Sequence, residues 1–304
     1  MSGSGGAAPP SPRAGVPRIR VLVTVHDRKA LSLACLERLE TQASEVAADI
    51  RVVLVDDGSR DGTAEAVRQR FPSVQVVAGS GHLYWNGGMR LALEVARRED
   101  PEYYLLLNDD TTLLPGALER LLATHRALVA GGHVACMVIG STRDPTTGSH
   151  SYGGWLRGPW YHPARFVRVP PGAEVRRCDT VNGNCVLIPR DALERICGLD
   201  PAFTHAMGDT DLGLRAGRAG CSLWVAPGWL GECVENVGKG MWQDAGLDGG
   251  ERWRLLLGPK GLPPREWLTF TSRHSGPFWP VHFAWPYLKI GWARLRRRAP
   301  APPG

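Results

Sequence analysis

Ile19-Arg20-Val21-Leu22-Val23-Thr24-Val25; Ile50-Arg51-Val52-Val53-Leu54-Val55 running into Asp56-Asp57-Gly58-Ser59; Tyr103-Tyr104-Leu105-Leu106-Leu107 running into Asn108-Asp109-Asp110: these stretches decide the fold. Each is a short apolar run bounded by polar turn formers, the pattern of a strand buried on both faces. Between them the apolar residues take helical spacing. Leu31, Ala34, Cys35 and Leu39 predict one helix. Asp61-Gly62-Thr63 opens a second, with Ala66, Val67 and Phe71. Val74 to Val77 reads as a strand, Trp85 to Ala96 as a helix, and Pro115 begins a helix carrying Leu118, Leu121 and Leu122. Strand and helix alternating in this way predict right-handed βαβ units and a mostly parallel α/β sheet flanked by helices. Polar residues gather just after the strands, at the carboxyl ends where open α/β sheets bind ligands. Residues 19–125 therefore read as a nucleotide-binding half.

Outward from this core the pattern changes. Residues 126–240 read as a second half of different character. It has a strand at His133–Ile139, antiparallel hairpins or loops over Ser149–Val175, a strand within Val181–Ile188 and a short helix from Pro189 to Gly198. A helix over Asp209–Ala219 and a strand at Ser222–Val225 follow. Residues 1–18 are rich in Gly, Ala, Pro and Ser, lack the apolar core of a secretory signal, and read as a disordered leader. Residues 241–304 form a Trp-, Pro- and Arg-rich extension. There, Phe278 to Ile290 precede Arg294, Arg296, Arg297 and Arg298. Aromatics beside a basic cluster suit peripheral contact with an anionic membrane. Packing onto the rest of the chain is the other reading. The prolines are expected to prevent one long helix.

Composition narrows the function. The chain has 304 residues and a formal net charge of +6, too small an excess to argue nucleic acid by itself. No apolar run approaches the ~20 residues of a spanning helix. Seven scattered cysteines without a CxxC pair read as buried free thiols, hence a cytoplasmic chain.

The acids carry the chemistry. Asp109 and Asp110 at a buried strand tip repel each other, and a hard cation such as Mg²⁺ or Mn²⁺ relieves that repulsion. Capping of the following helix is the other use of such residues. At the neighbouring tip, Asp57 can accept from a ribose hydroxyl or a base N–H, or can serve a turn.

These motifs in order resemble family 2 glycosyltransferases of the GT-A fold: residues 23–28 (VTVHDR), 55–63 (VDDGSRDGT) and 105–111 (LLLNDDT), with Asp209-Thr210-Asp211-Leu212 and Arg215 downstream. The likeness spans residues 19–240. It implies that Thr24 and His26 line a nucleobase pocket, with Arg28 near the phosphates. Asp57 would read a pyrimidine, Asp109 would contact sugar or ribose, Asp110 would hold the metal, and Asp209 would be the catalytic base. Residues 81–90 (GHLYWNGGMR), with Trp85, Gly87 and Gly88, are similar to the donor-site stretch of the rhamnosyl- and galactofuranosyl-transferase branches. Asn182 and Gly183 resemble the segment beside the acceptor pocket; His205 either lines the same cleft or is structural.

The resemblance implies an inverting, metal-dependent transfer from a UDP- or dTDP-sugar to a hydroxyl of a glycan, a lipid-linked intermediate or a metabolite. The chain departs from the family at two places. Gly208-Asp209 stands where Glu-Asp is common, which leaves Asp211 as the fallback base. No His stands at residues 233–240 near the end of the core, where Glu235 or a water would take the third metal position. Two rival readings are a nucleotidyltransferase and a noncatalytic sugar-nucleotide or carbohydrate-binding module. A nucleotidyltransferase would carry a Gly-rich basic loop after the first strand, and a dinucleotide oxidoreductase would carry GxGxxG there. This chain has neither.

Overall fold

A computed structural model describes residues 15–159, 165–235 and 240–296. In chain order the elements are β1 (Arg18–Val25), α1 (Lys29–Glu45), β2 (Asp49–Asp56), α2 (Thr63–Arg70), β3 (Gln75–Ala78), α3 (Tyr84–Arg97), β4 (Tyr103–Leu107), β5 (Thr112–Leu113), α4 (Ala117–Ala130) and β6 (Cys136–Arg143). There follow β7 (His150–Tyr152), β8 (Gly154–Arg157), β9 (Phe166–Arg168), β10 (Arg176–Cys178), β11 (Thr180–Val181), β12 (Cys185–Pro189), α5 (Arg190–Arg195), α6 (Gly208–Arg218) and β13 (Ser222–Glu232). The chain then turns helical: α7 (Gly249–Leu257), α8 (Pro264–His274), a short 3-10 turn and α9 (Trp279–Arg296).

The main sheet runs β10-β13-β6-β12-β4-β1-β2-β3. β3, β2, β1 and β4 are mutually parallel, as βαβ crossovers require. β12 enters antiparallel between β4 and β6. This reversal positions the site: Cys185, the first residue of β12, pairs with Leu107, the last of β4. The turn before β12 is thereby delivered to the acidic tip of β4.

Two apolar layers cover the sheet. One holds Leu22, Met89, Leu93 and Leu106 with α3 and α6 residues. The other holds Val21, Leu36, Leu105 and Leu121 with residues of α1 and α4. The helix expected around Leu31 and Ala34 exists, but its buried face is Ser32, Cys35, Leu36, Leu39 and Gln42, and Leu31 is exposed. Its stripe is thus turned one residue from the expected one.

The C-terminal extension differs more from expectation. Far from breaking the helix, the prolines sit inside it: Pro280 lies in the first turn of α9 and Pro286 in its interior. In the first turn the missing N–H has no intrahelical partner to lose, and within the helix one proline removes only one bond. Phe283 and Tyr287 of α9 pack on Phe203, Leu214, Trp267 and Phe270, so this extension docks on α6 and α8. Of the leader expected over residues 1–18, residues 1–14 lie outside the described residues and Arg18 already belongs to β1. Asn236–Lys239, Arg297 and Arg298 also lie outside the described residues.

Candidate active site

Three strand tips meet at one end of the sheet. The β1 and β2 tips are laced together. Asp27 Oδ1 accepts from Arg60 N–H at 2.6 Å, Asp61 accepts from Lys29 N–H at 2.9 Å, and His26 Nδ1–H donates to the Asp57 carbonyl at 2.8 Å. Asp57 is buried, and its carboxylate holds the next loop. Oδ1 accepts from Gly81 N–H at 2.7 Å; Oδ2 accepts from Leu83 and Tyr84 N–H at 2.8 and 2.9 Å. A carboxylate has about four lone-pair sites, so one remains, on Oδ1.

At the β4 tip, Asp109 is 6% exposed. Burial pushes its carboxyl up to about 7, with Arg28 opposing and Asp110 adding to the rise. Arg28 Nη1 lies 2.6 Å from Asp110 Oδ2 and 3.4 Å from Asp109 Oδ1. One guanidinium thus serves two carboxylates.

Glu235 does not join them. Its carboxylate is taken by Arg168. The side chain that reaches Asp110 is Cys233, with Sγ 3.4 Å from Oδ1. Sequence reading gave Cys233 no role. The pairing of β13 with β5 just beyond the acid tip brings Cys233 there, and that pairing leaves no mark in the sequence.

The opposite wall is built from α6 and the turn before β12. Asp209 is half-buried; its Oδ2 accepts from Gly183 N–H at 3.0 Å and its Oδ1 from Thr210 N–H at 2.7 Å. Burial raises its pKa, against those two N–H bonds and the Asn182 amide. Asn182 also accepts from Trp155 Nε1 at 2.6 Å.

Trp85 spans the two walls. Its Nε1 donates to Asn108 Oδ1 at 2.7 Å, and its ring lies so close to Gly183 that a Cβ there would sit 2.1 Å away. His205 accepts weakly from Trp85 N–H at 3.4 Å, and burial, with Lys260 and Arg28, lowers its pKa to about 4. It is a neutral wall residue.

Two of the glycines have packing reasons. A Cβ on Gly88 would meet Thr24 Oγ1 at 2.0 Å, so Gly88 lets α3 lie against β1. A Cβ on Gly208 would meet Asn86 Oδ1 at 2.3 Å, which accounts for the missing Glu before Asp209. Gly87 lies against Leu83, where a Cβ would be 3.2 Å from the Leu83 Cβ. The non-glycine residues Asp27, Tyr84 and Met207 have φ of 50°, 53° and 67°, and all three sit at this site. Such conformations cost of order 1–3 kcal/mol and gather where function fixes the backbone.

Asp211 is not at the cleft. It is fully buried, with Arg215 Nε at 2.6 Å, His274 Nε2 at 2.8 Å and Arg273 at 3.4 Å. Burial opposes its ionisation, yet the His274 and Arg215 bonds hold it below the usual carboxylate range. As fallback base and acceptor-side residue it is displaced by this ion-pair role. The i, i+4 spacing of Asp211 and Arg215 was the readable sign.

Comparison with known proteins follows from this arrangement. The profile of Glycosyl transferase family 2 matches residues 20–193, which include Asp57, Asp109, Asp110 and Gly183 but stop short of Asp209. Two relatives from Mycobacterium tuberculosis, strains CDC 1551 / Oshkosh and ATCC 25618 / H37Rv, are named N-acetylglucosaminyl-diphospho-decaprenol L-rhamnosyltransferase. Each is 26% identical over an alignment of 196 positions that covers 56% of this chain and 62% of the relative. The match thus spans less than two thirds of those relatives. Mannosyltransferase PcManGT from Pyrobaculum calidifontis, solved in complex with GDP-Man and Mn2+, aligns with a TM-score of 0.54 at 19% identity, over 94% of this chain and 74% of that one. That likeness bears on the fold, the GT-A type of α/β sheet. With the profile matched over most of the sheet and over the acid-bearing tips of β2 and β4, this chain belongs to glycosyl transferase family 2.

Proposed function

We propose that this chain is an inverting, divalent-cation-dependent glycosyltransferase, moving a sugar from a pyrimidine nucleoside diphosphate to an acceptor hydroxyl. One observation carries the reading. Acids stand on both walls of one cleft, Asp109 and Asp110 on one side and Asp209 on the other, with Trp85 spanning them.

Among the described residues no group of three or more His, Cys, Asp or Glu makes a ready cation cage. The donor set still fits Mn2+ or Mg2+. Two adjacent carboxylates share one guanidinium, and one of them is pushed up to about 7 by burial. Such cations are commonly held by one or two carboxylates plus substrate phosphates. Bound at Asp110, the cation would balance the diphosphate charge and act as a Lewis acid on the leaving group.

The protein groups do the rest. Arg28, which pairs with Asp110, is within reach of a phosphate once that pairing relaxes. Asp209 takes the proton of the acceptor hydroxyl as its oxygen attacks the anomeric carbon. The bond to the diphosphate breaks, and the nucleoside diphosphate leaves with the electron pair. One displacement inverts the anomeric centre. Burial that raises the Asp209 pKa makes it a stronger base than an ordinary Asp.

The free Oδ1 lone pair of Asp57 supports a pyrimidine N3–H contact, so UDP- or dTDP-sugars are the proposed donors. The names of the two relatives support an L-rhamnosyl group and a diphosphate-lipid-linked sugar acceptor. Free thiols at all seven cysteines suit a cytoplasmic location. Contact of the C-terminal region with a membrane belongs to this proposal and is taken up below.

Calorimetry with UDP, dTDP and GDP, with and without Mn2+, tests the donor site. Metal-dependent binding that favours UDP or dTDP, and that is lost in Asp110→Asn, is expected. Undiminished metal-dependent binding in that variant removes Asp110 from the site. Preference for GDP removes the pyrimidine reading.

A further inference from the structure

We propose that α9 is a docking helix that seats this chain on an anionic lipid surface. At 100° per residue, Val281, Trp285, Leu288 and Trp292 fall within an arc of about 60°. They are 62%, 64%, 65% and 63% exposed. Phe283, Tyr287 and Ile290 occupy the opposite side. Phe283 and Tyr287 pack against the Phe203, Trp267 and Phe270 cluster, and Ile290 is buried. α9 therefore has two apolar faces, one already used by the fold and one turned to solvent. Most soluble chains scatter their exposed apolar residues singly; a contiguous row of this kind marks an interaction surface.

Charge selects the occupant. From Trp267 to Gly304 the sequence contains no Asp or Glu; Arg273 is spent on Asp200 and Asp211, and the segment from α9 onward carries Lys289, Arg294, Arg296, Arg297 and Arg298. An apolar face with two Trp, set in a segment of purely positive charge, fits the interface of a bilayer with anionic headgroups. A protein partner would have to match the same apolar row with an acidic rim. No described helix is long and apolar enough to cross a membrane.

The placement has a consequence for the cleft. The same helical region supports the acceptor wall: Glu266 accepts from Thr204 N–H at 3.1 Å, and the Pro259 carbonyl accepts from Ala206 N–H at 3.3 Å. Asp211 of α6 is bound by Arg273 and His274 of α8. Seating α9 on lipid would hold the chain by a region that packs on α6 and α8. Any use of this for catalysis rests on the lipid-linked acceptor proposed above; the binding itself does not.

Vesicle co-sedimentation of the full chain tests the inference, with vesicles of phosphatidylcholine alone and of phosphatidylcholine with roughly 30 mol% phosphatidylglycerol as the anionic lipid. The full chain is expected to bind the anionic vesicles at least tenfold more tightly, and high salt should weaken this binding. The double variant Trp285→Glu/Leu288→Glu is expected to lose at least tenfold in vesicle affinity. It should keep its melting temperature and its UDP binding with Mn2+, since both residues are exposed and away from the cleft. Val129→Glu, which changes an exposed apolar residue on α4, is expected to bind vesicles like the parent chain. No binding of the parent chain to anionic vesicles overturns the inference, as does equal binding by the double variant. A parent chain that is dimeric without lipid and becomes monomeric in the double variant also overturns it, and assigns the face to a second copy. Loss of UDP binding in the parent chain would strike the donor site alone and leave the lipid result standing.

Discussion

Asp57 does work in the fold that its sequence setting does not show. Its carboxylate is a brace for the loop at residues 81–84 before it is anything else, because three backbone N–H groups converge on it. Hydrogen bonds to a charged group contribute about 1.5–3 kcal/mol, and a buried donor left without a partner costs a similar amount. Asp57→Ala is therefore expected to lose at least ~1.5 kcal/mol of stability. Amide exchange at Leu83 and Tyr84 should quicken. A denaturant titration with exchange measured at those amides checks this, and an unchanged midpoint with unchanged protection would remove the bracing role. Nothing in the stretch Asp56-Asp57-Gly58-Ser59 announces these bonds, since the donors lie 24 to 27 residues downstream. Asp109 is different. The crowding of two carboxylates at a buried tip was legible from adjacency alone, and the lifted pKa is its physical result.

At the scale of elements, α6 carries two carboxylates with opposite fates. Asp209 opens the helix and faces the turn at Gly183, while Asp211, two residues on, turns into the protein toward α8. A separation of 200° around the helix makes this unavoidable. The buried cluster of Asp211, Arg215, Arg273 and His274 fastens α8 to α6. Removing one partner of such a buried set costs about 3–5 kcal/mol. Its pH dependence follows from the directions of the shifts. Burial lowers the His274 pKa against the pull of Asp211, so the folded chain resists a proton that the unfolded chain accepts near 6.5. Stability should fall as pH drops through that value. Asp211, held low in the fold, adds a second loss as pH drops below the ordinary carboxylate range. Thermal melts between pH 8 and 2 should show both limbs. His205, lowered to about 4 by burial, adds to the upper limb, so His274→Gln should shrink that limb without abolishing it while lowering the melting temperature throughout; an unaltered upper limb would assign that titration elsewhere.

For the whole molecule, the α/β sheet of residues 19–125 was legible because its strands are buried on both faces and acids end two of them. Local pattern and global position coincide there. The insertion of β12 between β4 and β6 was not legible, since strand order leaves no mark on periodicity. That insertion is nevertheless what carries Gly183 and Asp209 to the acids of β4. The C-terminal helices were hidden by their prolines and tryptophans. Tertiary packing on Phe203 and Leu214 overrides the weak local propensity. The account's central claim is that these two walls make one reaction centre, with donor held at Asp110 and proton taken at Asp209. Turnover of a UDP- or dTDP-sugar by Asp209→Asn, with donor affinity measured on the same sample, tests it most directly. The account predicts a fall of roughly 10² to 10⁴ in turnover, the usual range for general-base help, with donor affinity nearly unchanged. Turnover at the level of the parent chain in Asp209→Asn would contradict it.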